Sequence, residues 1–164
     1  MKFDHLADLG TIVVPYDYEH KTRLTTFRDL NRNKFFDYNL SITDANFPNP
    51  SRILKPGDML RVRAFKQVVG GTTTAEERME FLANQNAIHT GAQGASLVFD
   101  QKRHQLPKGL WYASFDEKNR LWSADGHHRV LSMCHYSDGD FEFSLSDFDR
   151  VWYAVNAFLC FNEA

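Results

Sequence analysis

Pro107-Lys108-Gly109-Leu110-Trp111-Tyr112-Ala113-Ser114-Phe115-Asp116-Glu117-Lys118-Asn119-Arg120-Leu121-Trp122 holds two of the chain's three tryptophans. Leu110 to Phe115 is apolar and aromatic, the composition of a strand. Asp116-Glu117-Lys118-Asn119 has turn chemistry, because Asp and Asn bond their own backbone and tolerate bends. Arg120-Leu121-Trp122 then returns. The stretch therefore predicts a hairpin that contributes heavily to the core, with helices before it and strands after it arranged around it.

Upstream, Phe3 to Leu9 places Phe3, Leu6 and Ala7 on one helical face, with Gly10 as the stop. Thr11-Ile12-Val13-Val14 is a β-branched run, read as a strand. Asp17 is in place to cap a helix from Tyr18 to Leu30, with Leu24, Phe27 and Leu30 at helical spacing. Phe35-Phe36-Asp37-Tyr38 is aromatic without a clear period. Residues 41–50 are rich in Asn, Asp and Pro and read as a loop, functional or simply held down by Phe47. Lys55-Pro56-Gly57-Asp58 is a turn, after which Leu60, Val62 and Ala64 alternate with Arg61 and Arg63, predicting a strand with one basic face.

Thr74 and Glu77 form a capping box for a helix running to Asn86, and Thr90 with Gln93 repeats the signal for a second helix running to Gln105. The small residues Gly91, Ala92, Gly94, Ala95 and Ser96 predict close packing of that second helix on a sheet. Three more strands are expected at 129–133, 141–145 and 151–161, separated by turns at 137–140 and 146–149. The sum is a single α+β domain over 1–164. The expected sheet is mostly antiparallel and strongly bent, or a partial barrel, with the helices packed on one side. Its open edge would be covered by a second copy, so a homodimer is expected.

The chain has 164 residues, fourteen of them Phe, and is 43% hydrophobic, enough for a core that needs no disulfide. Its net charge of −2 argues against a nucleic-acid partner. Residues 137–164 hold six acidic side chains against Arg150 alone, which leaves the first part mildly basic. No apolar run reaches the roughly 20 residues of a membrane span, and Met1 to Leu9 does not read as a signal peptide. A cytoplasmic protein is expected, with Cys134 and Cys160 as buried, reduced thiols.

The densest polar cluster is Asp125-Gly126-His127-His128-Arg129, with Cys134-His135 beyond it. This spacing matches no zinc module, so no metal and no cofactor are expected. A face carrying Arg61, Arg63 and Arg129, bordered by Tyr112 and Trp122, would hold an anion, a peptide or single-stranded nucleic acid. The other reading of these cations is a solvated face, ion-paired with Asp116 and Glu142. The first reading makes the chain a non-enzymatic binding or interaction module without catalytic residues. The alternative is a small hydrolase or nuclease-like enzyme using Asp125, His127, His128 and Arg129.

The same five residues locally resemble the Asp-Gly-X-His-Arg box of ParB-type partition proteins. That resemblance implies a helix opening at the box, with Arg129 on phosphate. Val130-Leu131-Ser132-Met133 and the turn at Ser137-Asp138-Gly139 leave little room for such a helix. Over a longer span, Ala87-Ile88-His89-Thr90-Gly91-Ala92-Gln93-Gly94-Ala95-Ser96-Leu97-Val98-Phe99 and Asp138-Gly139-Asp140-Phe141 resemble small uncharacterised bacterial proteins carried on mobile elements such as integron gene cassettes. This implies an accessory role and brings no activity with it.

Overall fold

The alternating run Met59–Gln67 is a strand, with Leu60, Val62 and Ala64 buried and Arg61 exposed. It is the second of seven strands in the computed structural model, which describes residues 1–34 and 40–164. The strands are β1 (Phe3–Val13), β2 (Met59–Gln67), β3 (Leu110–Ser114), β4 (Trp122–Ala124), β5 (His127–His135), β6 (Phe141–Asp147) and β7 (Asn156–Glu163). The α-helices are α1 (Arg23–Leu30), α2 (Ala75–Asn84) and α3 (Gly91–Lys102). The aromatic run Phe35-Phe36-Asp37-Tyr38 lies outside the described residues. No described helix is long and apolar enough to cross a membrane.

The architecture is α+β, with one mixed, mostly antiparallel sheet. It runs β1-β2-β7-β3-β5, all antiparallel except the parallel β3–β7 pair. Leu131 of β5 pairs with both Ser114 and Leu145, and Arg129 with both Trp122 and Asp147. Hence β3 and β4 share one side of β5, and β6 takes the other. The sheet is neither closed nor strongly curled, which corrects the expected partial barrel.

The physical reason is that both faces are buried. Alternate residues of β7 enter different cores: Ala157, Leu159 and Phe161 on one face, Phe158 and Cys160 on the other. A curled barrel hides only its inside, whereas a two-sided sheet needs cover on both faces. Leu24 and Phe27 of α1, with Ala95, Val98 and Phe99 of α3, cover the first face. Ala75 and Leu82 of α2 cover the second, beside Phe65 and Trp152. The helices are therefore on both sides rather than one.

Local expectations fail where a distant partner wins. Phe3 to Leu9 is not helical, because β2 offers it a full antiparallel partner. Gly10, at φ +76°, sits where that register slips rather than at a helix end. Helix α1 starts at Arg23 and is capped not by Asp17 but by Asp44, which accepts from Leu24 N (2.9 Å) and Thr25 N (3.0 Å). The box at Thr74 and Glu77 forms both of its bonds. The one at Thr90 does not, since Gln93 donates instead to Phe47 O (2.8 Å).

The expected hairpin over 110–122 is also absent, because β3 pairs with β5 and β7, and Trp122 belongs to β4. Asp116 is buried and bonded to Ser51, so it anchors a loop instead of turning the chain. The closing strand begins at Asn156, and Trp152 makes a separate bridge to Thr73.

At one end of the sheet, β1 forms an edge strand. Its register slips twice, and both polar groups of the Val13 backbone are taken by the side chain of Gln101 (3.0 and 2.8 Å).

The small residues of α3 serve close packing, as their composition predicts. A Cβ on Gly94 would lie 1.8 Å from Thr90 Oγ1 and 3.1 Å from Phe161 Cζ of β7. Gly94→Ala should therefore destabilise the protein by about 1–3 kcal/mol, read from urea melts, because neither neighbour can withdraw inside a packed core. A stability equal to wild type would show that α3 can lift off the sheet.

Candidate functional site

Polar chemistry concentrates on the α2 face of the sheet, where β3, β5 and β6 extend past the helix. Ser132 of β5 pairs directly with Ser144 of β6, and Ser146 is the next β6 residue on that side. The three serines floor an open groove of about 340 Å³, walled by Trp111, Arg150, Tyr153, Val155 and Asn156. The Ser132 hydroxyl is buried and has no hydrogen-bond partner among the described residues. A buried hydroxyl left unpaired costs about 1–3 kcal/mol, so it stands out on this face.

Two guanidinium groups meet at Asn156. Arg150 donates to Asn156 Oδ1 (2.7 Å) and lies 4.6 Å over the Trp152 ring, and its buried Nε is unpartnered. Arg78, wholly buried in α2, donates to Asn156 O (2.5 Å), Tyr153 O (3.2 Å), Thr73 Oγ1 (3.1 Å) and Gln67 Oε1 (3.2 Å). All of these acceptors are neutral, and neither arginine makes a salt bridge among the described residues. Burial, and then the nearby charge of Arg150, push the Arg78 pKa down to about 10. Burial also lowers that of Arg150. Both remain cations at neutral pH, so among the described residues the site holds two cations, one buried and one part-buried, without an ion-pair partner.

The five side chains expected to form one binding face do not come together. Arg61 pairs with Asp8 (2.5 Å), and Arg63 donates to Asn162 (2.8 Å) while lying over Phe65 (5.2 Å). Tyr112 is fully buried on the opposite sheet face and donates to Pro107 O (2.5 Å). Trp122 and Arg129 are neighbours across the β4–β5 pair, separated from β2 by β3 and β7. Asp116 is bonded to Ser51 and so is not a surface counter-ion for these cations.

Asp125, His127, His128 and Arg129 do not converge either. Asp125 (φ +53°) and Gly126 (φ +80°) form the two-residue turn of the β4–β5 hairpin, and a strand, not a helix, follows. His127 and His128 leave that strand on opposite faces. His127 bonds Asp147 (2.6 Å) in the open, while His128 Nδ1 is buried without a partner among the described residues. No group of three or more His, Cys, Asp or Glu among the described residues is arranged to hold a metal ion. Burial, and then Glu142, push the Cys134 thiol up to about 11, and burial raises Cys160, so both stay protonated at neutral pH.

The serine groove was partly legible. Phe141-Glu142-Phe143-Ser144-Leu145 alternates, which puts Ser144 on the face away from its Phe and Leu neighbours, whereas Ser146 reads as a turn residue and is instead part of β6. Nothing local could place Ser132 opposite Ser144, or bring Arg150 and Asn156 to them. Comparison with protein families, with curated proteins and with solved structures finds no match.

Proposed function

We propose that the chain is a non-enzymatic binding protein for a small organic anion. The anionic group sits at Arg150, and the body lies on the serine floor between Trp111 and Tyr153. One observation carries the reading: among the described residues, a part-buried guanidinium without a salt bridge and a buried hydroxyl without a hydrogen-bond partner line the same groove. A carboxylate would supply the missing counter-charge and accept from both groups. The groove's size fits the lower end of small-molecule sites. An accessory role of the kind implied by the mobile-element resemblance is compatible with this reading.

Calorimetric titration with benzoate, citrate and inorganic phosphate tests the proposal. At least one of them should bind, and Arg150→Met should weaken it about tenfold to a hundredfold, the worth of a charge-assisted hydrogen bond of about 1.5–3 kcal/mol. Ser132→Ala should weaken binding while leaving the free protein as stable as wild type or up to about 1–3 kcal/mol more so, because it removes a buried hydroxyl with no partner among the described residues. A His127→Ala/His128→Ala variant should bind as wild type does, whereas the hydrolase alternative requires those imidazoles. Binding of none of the three probes would reject the proposal.

A further inference from the structure

We infer that the groove between the 41–50 loop and the 118–123 segment is a second binding site, for a neutral polyhydroxyl ligand of the sugar type. The groove, of about 360 Å³, lies apart from the serine site and shares no residue with it.

Its first bank is an irregular loop held in one conformation by bonds to three other parts of the chain. Asp44 caps α1, and the buried Gln93 of α3 donates to Phe47 O (2.8 Å). Ser51, just past the loop, is bonded through its backbone N (3.0 Å) and its hydroxyl to the buried Asp116. Ile42 and Phe47 are buried beneath it. Fixing each backbone residue costs about 1–2 kcal/mol. A loop already ordered by these bonds presents its side chains without that cost falling on a ligand. The second bank is a 3₁₀ turn over Lys118–Arg120, held by the Lys118–Asp149 ion pair (2.7 Å).

The side chains offered are Asn46 and Asn49 from one bank and Asn119, Arg120, Trp122 and Ser123 from the other. Among the described residues only one of their polar groups is spent inside the protein, Asn46 Nδ2 on Ser41 O (2.7 Å). An amide both donates and accepts, as a sugar hydroxyl does, and three amides in one concavity match several hydroxyls at once. The half-buried Trp122 supplies an apolar ring for the C–H face of a pyranose, with an N–H at its edge. Among the described residues no carboxylate, histidine or cysteine lines the groove to hold a metal, and Arg120 alone makes a poor phosphate cradle.

Saturation-transfer NMR on the whole chain tests this with glucose, galactose, mannose, N-acetylglucosamine, adenosine and inorganic phosphate. At least one sugar should receive saturation. Its dissociation constant should rise at least tenfold in Asn49→Ala/Asn119→Ala, whose exposed substitutions leave the fold intact by circular dichroism. Arg150→Met, in the other groove, should not change it. Saturation of no sugar, sugar binding that survives the double asparagine variant, or binding of adenosine or phosphate alone would each overturn the inference.

Discussion

Arg78→Ala should cost about 2–5 kcal/mol, a large share of the roughly 5–15 kcal/mol that stabilises a typical domain. The guanidinium ties α2 to two backbone carbonyls of the segment leading into β7 and to the side chains of Thr73 and Gln67. It also lies 5.1 Å over Phe158, 5.4 Å over Phe3 and 5.7 Å over Trp152. Its loss takes a donor from Asn156 O, while Tyr153 O keeps Asn156 N and Gln67 Oε1 keeps the Thr73 hydroxyl, and it opens a cavity between aromatic rings, two separate penalties. Arg78→Lys keeps the charge but cannot reach these acceptors together, because an ammonium is a compact point donor and not a planar fork. It should recover less than half of the loss. Urea denaturation of the three proteins measures both effects, and a cost below about 1 kcal/mol for Arg78→Ala would show that α2 is held by its apolar face alone.

Asp116→Ala should cost about 2–3 kcal/mol and free the segment around Ser51 from the end of β3. The carboxylate accepts from Ser51 N (3.0 Å), the Ser51 hydroxyl and Glu117 N (2.7 Å), and each stranded donor costs about 1–3 kcal/mol, less where water can reach it. Amide exchange should quicken over 46–53 and stay slow in β7. Burial raises the Asp116 carboxyl above its ordinary value of 3.8, outweighing these donors. A carboxyl shifted this way contributes stability that is complete below its unfolded pKa and is lost as pH rises through the folded one. Asp116→Asn has no such titration. The advantage of wild type over that variant should therefore be widest in acid and narrow towards neutral pH. A gap that widens with rising pH would mean that the donors dominate and the carboxyl sits low.

Legibility followed the range of the interactions. The β2 alternation, the Thr74–Glu77 box, the Pro56–Gly57 turn and the small residues of α3 were all readable, because each depends on neighbours a few residues away. The open loop over 41–50 was readable as irregular, but its rigidity was not, since the groups that tie it down, Asp116, Gln93 and the first turn of α1, lie elsewhere in the chain. Phe3 to Leu9 shows the reverse error: its helical spacing is real, and pairing with β2 overrides it.

The same division holds for the sites. An α+β composition and the outward face of Ser144 follow from periodicity, which is a local property of covalent geometry. That both sheet faces are buried, that Ser132 meets Ser144, and that Arg78 and Arg150 converge on Asn156 follow from strand order and register. Those are set by long-range packing of apolar surface, which no short window of residues contains.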